Sequence, residues 1–135
     1  MLLLTFAALV AAAAATSPAP TPDCHCELAL SHQRPPLVIY ELPGAWYGGC
    51  EIWLEFDCLQ ECQVRRDELE SVGAWEADIG DGTTVGQVAC ATLGRDEPHG
   101  IHSVLVGALC GLPLSEEGPG LREPLCCLDG AAVQC

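Results

Sequence analysis

The pattern of apolar and polar positions predicts one long helix in the middle of the chain. Its apolar stripe, between residues 51 and 71, consists of Leu54, Cys58, Cys62 and Leu69. Intervals of four, four and seven residues bring these side chains to one face of an α-helix. Gly73 stands where a left-handed C-cap is expected to end the helix.

Strands are predicted on both sides of this helix. Residues 37–40 form a compact β-branched and aromatic run, and residues 103–106 have a similar strand-like composition. Residues 124–128 and 131–135 flank Asp129-Gly130, a dipeptide that favours a two-residue hairpin turn. The chain therefore predicts a central helix with short antiparallel strands around it.

The segment between the long helix and residue 103 admits two interpretations. Thr84 and Gln87 fit a capping box, which predicts a short helix over residues 85–93 that ends at Gly94. The same apolar positions fit a strand equally well, and Gly86 weakens both interpretations.

The start of the chain has the features of a signal peptide. Residues 1–15 contain no charged side chain, and their apolar run is too short to span a membrane. Alanines at 13–15 supply a small-x-small cleavage pattern. Residues 16–23 alternate proline with small polar residues, which predicts a flexible tail. Residues 24–135 are expected to form a single domain of a secreted protein, with no membrane contact.

Ten cysteines in an exported chain predict five disulfides rather than thiols. The framework consists of Cys24, Cys26, Cys50, Cys58, Cys62, Cys90, Cys110, Cys126, Cys127 and Cys135. Disulfide geometry disfavours a Cys24–Cys26 or a Cys126–Cys127 bridge. The fold class that follows is α+β: a small disulfide-rich domain with one main helix packed on a short antiparallel sheet.

Strand geometry also predicts where some of these cysteines reach. Cys24 and Cys26 share one face of an extended segment and should bond to two neighbouring partners. Cys126 and Cys127 should point to opposite faces and attach the hairpin to two different layers.

Large core residues are scarce, so disulfides are expected to replace part of the core. Cys58 and Cys62 are each expected to bond to a different element and so hold the helix over the strands. The aromatic candidates for the rest of the core are Trp53 and Phe56, with Trp46 or Trp75.

A formal net charge of −14 excludes functions that need a basic surface. Nucleic-acid binding requires cationic side chains that displace phosphate counterions, so no nucleic-acid partner is expected. The chain has no lysine, which excludes Schiff-base chemistry and a P-loop, and no asparagine, which excludes N-glycosylation.

Residue types that bind metals occur close together, but none of the clusters has a complete ligand set. Residues 24–26 and the pair His99 and His102 would need reduced thiolates to complete a zinc site. Residues 78–82 lack the alternating aspartates of a calcium loop, so residues 79–82 are expected to form a turn. We expect no metal and no cofactor.

Catalytic patterns are also missing from the sequence. There is no G-x-S-x-G motif, and Ser103 adjoins His102 although neighbours on a strand face apart. Paired carboxylates such as Glu116-Glu117 are typical of a solvated acidic face. We expect no catalytic residues and no enzymatic activity.

The loop over residues 43–49 is the candidate interaction surface. It carries Trp46 and Tyr47, and aromatic side chains in a constrained loop suit protein recognition. The alternative is that these side chains fold inward and fill the small core. Tyr40 and Tyr47 are also candidates for oxidative crosslinking to other chains.

The cysteine spacing resembles that of a known family. The motifs are Cys24-x-Cys26, Cys58-x3-Cys62 in the central helix, and Glu123-x2-Cys126-Cys127-x-Asp129-Gly130-x4-Cys135. Together they resemble the arthropod follicle-cell protein family, small secreted cysteine-rich proteins made by cells around the developing egg. The resemblance covers residues 24–135 and implies association with an eggshell or another extracellular coat, without a defined reaction.

The expected function is therefore that of a secreted, non-enzymatic structural or interaction component of an extracellular coat. Its expected partners are extracellular-matrix or eggshell proteins, and its acidic surface suits basic or calcium-bearing ones. The alternative is a secreted protease inhibitor or ligand-binding module that presents the loop over residues 43–49.

Overall fold

The protein has a mixed α+β structure with one main helix, two antiparallel sheets and five disulfide bonds. The computed structural model describes residues 20–30, 33 and 35–135. The predicted signal peptide, residues 1–15, and residues 16–19 of the predicted tail lie outside this part of the chain. The predicted fold class, a helix packed on an antiparallel sheet and held by disulfides, is confirmed.

The structure contains the elements that the sequence pattern predicts, together with strands that it does not. In chain order they are β1 (Cys24–Leu30), β2 (Leu37–Leu42), α1 (Glu55–Ser71), α2 (Val85–Leu93), β3 (Glu97–Ile101), β4 (Ser103–Leu109), β5 (Leu112–Pro113), β6 (Gly118–Pro119), β7 (Leu125–Leu128) and β8 (Ala131–Val133). Short 3₁₀ helices, Ile52–Leu54 and Ala74–Glu76, adjoin α1 on its two sides. The long helix, the strands predicted at residues 37–40 and 103–106 and the C-terminal hairpin are confirmed. The strands β3, β5 and β6 were not predicted, and β1 was predicted only as an extended segment around Cys24 and Cys26.

The larger sheet is built around β1. Its strand order is β2-β1-β4-β5, and β6 pairs with β4 at the other end of that strand. In the antiparallel register of β1 and β4, Cys24 lies opposite Leu109 and Leu28 lies opposite Leu105. All four side chains are buried, so the two strands present one continuous apolar face.

Helix α1 is fixed to that face by two disulfides. Cys24 bonds to Cys58 and Cys26 bonds to Cys62, and all four residues are fully buried. The prediction that Cys24 and Cys26 reach two neighbouring partners is confirmed. The prediction that Cys58 and Cys62 bond to different elements is wrong, because both bond to β1.

A glycine on β4 allows the helix to approach the sheet closely. Gly107 lies opposite Cys26 in the β1–β4 ladder. A Cβ at Gly107 would lie 3.2 Å from Cys62 Sγ and 2.8 Å from the carbonyl oxygen of His25. Any larger residue would therefore displace the helix or the neighbouring strand.

The second layer consists of α2 and the smaller sheet, in which the strand order is β3-β7-β8. The capping box is present: Gln87 N–H donates to Thr84 Oγ1 at 3.2 Å, and Thr84 N–H donates to Gln87 Oε1 at 2.9 Å. The helix ends at Gly94, which adopts a left-handed conformation with φ of +70°. Of the two interpretations of this segment, the helix is confirmed.

The hairpin β7–β8 is attached to α2 by one disulfide and to its own chain end by another. Cys127 bonds to Cys90 on α2, whereas Cys126 bonds to Cys135 at a separation of nine residues. The prediction that both cysteines attach the hairpin to different layers is therefore wrong for Cys126. The segment after β8 returns to the side of β7 that Cys126 faces, and Cys135 forms the disulfide with Cys126.

The core consists mainly of aliphatic residues and disulfide-bonded cysteines, and one of the four predicted aromatic candidates is buried in it. Trp75 is 7% exposed, and its Nε1–H donates to the carbonyl oxygen of Glu123 at 2.9 Å. Trp53 and Phe56 are 73% and 64% exposed, so their prediction as core residues is wrong. Phe56 lies two positions before Cys58, which is about 200° around the helix from the buried face.

Gly86, which weakened the sequence prediction for α2, has a packing role. A Cβ at this position would lie 2.8 Å from the Cβ of Ala132 and 2.9 Å from the carbonyl oxygen of Trp75. The helix therefore lies against β8 and against the 3₁₀ turn at a distance that only glycine permits.

We expect Gly86→Ala to lower the stability of the protein, although alanine is the better helix former by about 1 kcal/mol. Overpacking of a close contact costs about 1–3 kcal/mol, and this cost should exceed the gain in helix propensity. Urea denaturation of the oxidised protein, followed by circular dichroism, measures the difference. A more stable Gly86→Ala protein would contradict the close approach of α2 to β8.

Like charges face each other on the other side of the larger sheet. Glu27 on β1 lies directly opposite Glu41 on β2. Partial burial, followed by repulsion from Glu41, raises the pKa of Glu27, and His25 opposes this rise. The folded state therefore holds the proton of Glu27 more tightly than the unfolded chain does, and it loses stability when Glu27 ionises.

We expect Glu27→Gln to stabilise the protein at neutral pH by about 0.2–1 kcal/mol, the range of cross-strand pair effects. The advantage should shrink as the pH falls through the raised pKa, because the wild-type carboxyl then becomes neutral too. Denaturation midpoints at neutral and acidic pH test this expectation. Glu117→Gln, which removes one charge outside the sheet, is the control, and an equal gain in that variant would contradict the explanation.

Candidate functional site

The predicted interaction loop, residues 43–49, has no regular secondary structure, and its two aromatic side chains differ in exposure. Trp46 is half-buried and packs against the core, with its ring over Gly48. Tyr47 is 56% exposed, and its hydroxyl donates to the carbonyl oxygen of Pro20 at 3.4 Å. The loop therefore presents Tyr47, while Trp46 follows the alternative inward orientation.

Asp23 fastens this loop to the rest of the protein. Its N–H donates to the carbonyl oxygen of Trp46 at 2.8 Å, and its Oδ2 accepts from the N–H of Gly49 at 3.0 Å. Its carbonyl oxygen accepts from the N–H of Cys110 at 2.7 Å, and Cys110 bonds to Cys50 beside the loop. The end of the predicted tail is thus hydrogen-bonded to the folded domain.

The two tyrosines proposed for crosslinking lie in different environments. Tyr40 is half-buried on β2, and this burial raises the pKa of its phenol. Tyr47 is exposed on the loop. The structure does not bring them together in one site, and Tyr47 is the more accessible of the two.

The clusters of metal-ligand atoms consist largely of disulfide sulfurs. Cys24, Cys26 and Cys62 bring their sulfur atoms together in the core, and Asp23 lies beside the Cys50–Cys110 bridge. Within the described residues every cysteine is disulfide-bonded, as predicted, so these clusters contain no thiolate ligand.

Ser103 and His102, the neighbours considered for catalysis, lie in different environments. The Ser103 side chain is buried, and its Oγ accepts from the N–H of Leu121 at 3.0 Å. His102 is exposed. The hydroxyl of Ser103 therefore has a structural partner, which holds the segment after β6 against β4.

Several exposed apolar side chains lie together in a groove at the start of α1, which we call the aromatic groove. It is lined by Ile52, Trp53, Glu55, Phe56, Leu59, Leu114, Ser115 and Glu116, and its volume is ≈ 320 Å³. Ile52, Trp53 and Phe56 are 79%, 73% and 64% exposed. Three large apolar side chains are thus presented to solvent side by side, which is the usual mark of an interaction surface.

Local structure explains why these side chains point outward. Ile52 and Trp53 lie on the 3₁₀ turn before α1, next to the Cys50–Cys110 bridge. Phe56 lies on the face of α1 opposite Cys58, which is pinned to the sheet. Phe56 lies outside the apolar stripe that the sequence predicts for this helix, and this was the signal that could have identified the groove.

A carboxylate forms one wall of the aromatic groove and connects it to the loop between β5 and β6. Glu55 accepts hydrogen bonds from both the hydroxyl and the backbone N–H of Ser115. These bonds, the side-chain one first, lower the pKa of Glu55. Glu55 therefore remains ionised at pH values at which an ordinary glutamate starts to take up a proton, and the groove keeps a negative charge.

The rim of the aromatic groove is acidic. Glu55 and Glu116 line it, and the exposed residues Glu51, Asp57 and Glu117 are their close neighbours in the chain. No basic side chain is among the described residues that line the groove. The site thus combines an aromatic centre with negative potential, which suits a partner that is both apolar and cationic.

Comparison with protein-family models, with curated proteins and with solved structures finds no match to this chain. The resemblance to the follicle-cell protein family therefore depends on the cysteine motifs alone. Among the described residues, no helix has the length and apolar character that a membrane crossing requires.

We expect Trp75→Ala to lower the free energy of unfolding by about 3–5 kcal/mol, because it removes a buried aromatic side chain. Trp53→Ser and Phe56→Ser should each change it by no more than about 0.5 kcal/mol, because both side chains are exposed. Urea denaturation followed by circular dichroism gives all three values. A loss for Phe56→Ser that matches the loss for Trp75→Ala would place Phe56 in the core.

Proposed function

We propose that this protein is a secreted, non-enzymatic interaction component of an extracellular coat, and that it binds basic coat proteins through the aromatic groove. The observation that carries the proposal is the exposure of Ile52, Trp53 and Phe56 side by side within an acidic rim. Tryptophan and other aromatic side chains dominate the binding energy of protein interfaces.

The charge of the chain supports a cationic partner. A net charge of −14 attracts basic proteins over distances comparable with the Debye length and increases the rate at which they meet the protein. Glu55 and Glu116 can then pair with basic side chains at the edge of the contact, while the aromatic centre excludes water.

Secretion and a role in a coat are supported by the cysteine content. Five disulfides are typical of proteins in an oxidising compartment, such as the extracellular space. A covalently stapled fold also resists unfolding when no cellular machinery is present to refold it. The resemblance to follicle-cell proteins favours an eggshell as the coat.

We expect the oxidised protein to bind an immobilised amphipathic peptide composed of lysine and leucine, and to bind isolated eggshell material. The double variant Trp53→Ser/Phe56→Ser should weaken peptide binding by about 30-fold or more, the loss typical of interface hot spots. Higher salt should weaken the wild-type interaction, because the rim charges are screened. Biolayer interferometry measures both effects.

A matched control separates the groove from general apolar stickiness. Val64 on α1 and Leu128 on β7 are exposed but do not line the groove. Val64→Ser/Leu128→Ser should bind the peptide and the eggshell material as the wild type does. Equal binding by the groove variant and the wild type would refute the proposal.

The alternative proposal, a protease inhibitor that presents residues 43–49, predicts a different result. Stoichiometric inhibition of one enzyme in a protease panel, lost in Tyr47→Ser and kept in Trp53→Ser/Phe56→Ser, would favour it. Tyr47 is the exposed aromatic residue of that loop. We rank this alternative second, because Trp46 packs against the core instead of facing a partner.

A further inference from the structure

Arg65 is a buried cation in the middle of the core-facing stripe of α1. Its side chain lies between the positions of Cys62 and Leu69, and the residue is 5% exposed. Its Nε donates to Glu61 Oε1 at 3.0 Å, which offsets the charge of the guanidinium. Gly44 covers it: a Cβ there would lie 2.5 Å from Arg65 Nε. Glu61 and Gly44 therefore hold the Nε side of the guanidinium.

One buried nitrogen of this guanidinium has no hydrogen-bond partner among the described residues. Nη2 of Arg65 is buried, and no hydrogen-bond acceptor lies within reach of it among the described residues. A buried donor without an acceptor destabilises a protein, so native structures rarely leave one unpaired. An acceptor for Nη2 therefore has to come from outside the described residues.

Arg65 also lines a cleft, which we call the Arg65 cleft, between β2, α1 and the segment before α2. Its volume is ≈ 400 Å³, within the range of small-molecule sites. The apolar part of its wall is formed by Leu42, Leu69, Val72, Ala77, Ile79 and Val85. The cleft is separate from the aromatic groove and shares no lining residue with it.

The polar groups of the Arg65 cleft define the charge of its ligand. Glu68 and Asp78 line it and are exposed, so two carboxylates stand near the opening. Glu61 already pairs with Arg65. An anionic ligand would meet repulsion from these carboxylates without gaining an unpaired cation. Tyr40, which also lines the cleft, is the other polar residue of its wall.

We propose that the Arg65 cleft binds a small, neutral, largely apolar molecule that carries one carbonyl-type oxygen. Nη2 of Arg65 is itself buried, so the guanidinium turns toward the cleft when the ligand binds, and the oxygen then accepts a hydrogen bond from Nη2. The apolar body lies along the wall formed by α1 and the segment before α2. This inference does not depend on the proposed binding of coat proteins, because the two surfaces have different residues.

Prodan, a neutral naphthyl ketone whose emission shifts to the blue in apolar surroundings, is a suitable probe. We expect the oxidised protein to bind prodan saturably at one site. The parent dimethylaminonaphthalene, which lacks the ketone, should bind at least about tenfold more weakly, because it leaves the charged donor unpaired. A carboxylate in place of the ketone should also bind more weakly than prodan.

Variants connect the binding to Arg65. Arg65→Met should weaken prodan binding about tenfold or more and leave binding of the ketone-free parent unchanged. Arg66→Met, on the adjacent residue, is the control and should bind prodan as the wild type does. Val72→Trp changes an exposed lining residue and should block the cleft in a protein that still folds.

The aromatic groove is the competing site for such a probe, so Trp53→Ser/Phe56→Ser should bind prodan unchanged. Loss of binding in that variant would place the probe in the groove and overturn the proposal. It would also be overturned by equal binding of prodan and its ketone-free parent, by tighter binding of the carboxylate, or by full binding to Val72→Trp.

Discussion

The attachment of helix α1 to strand β1 by two adjacent disulfides determines much of this structure. Four residues of helix rise by about 6 Å, and two residues of strand rise by about 6.7 Å. Cysteines spaced by four on α1 therefore match cysteines spaced by two on β1, and Cys24–Cys58 and Cys26–Cys62 form side by side. Two parallel bridges fix the position, direction and rotation of the helix at once.

The fixed rotation of α1 accounts for both candidate binding surfaces. With Cys58 and Cys62 held against the sheet, position 65 must face the core and position 56 must face solvent. The sequence places an arginine at the inner position and a phenylalanine at the outer one. This is the reverse of what hydrophobic burial alone would select, and it is possible because the bridges, rather than apolar contact, hold the helix in place.

Local signals predicted both helices and the C-terminal hairpin, whereas β3, β5 and β6, which pair with distant strands, were not predicted. The Thr84–Gln87 capping box and the Asp129-Gly130 turn act within a few residues, and both predicted the correct element. Cys58 and Cys62 both bond to β1 because α1 runs along this strand. Sequence periodicity does not reveal that arrangement. The interval of seven between Cys62 and Leu69 did contain a signal, because it skips the inward position that Arg65 occupies.

An exposed aromatic residue means something different in a fold held together by disulfide bonds than in a fold held together by its apolar core. In a fold held by its apolar core, a sequence with so few aromatic residues would be expected to bury most of them. Here the chain buries Trp75 and leaves Trp53 and Phe56 in water, although both would have added to a small core. The disulfides supply the stability that these side chains do not. Trp53 and Phe56 can therefore stay exposed, where they are available to contact a partner. The same reasoning applies to Arg65, because a buried guanidinium whose Nη2 has no acceptor among the described residues would destabilise a fold that depended on its apolar core alone.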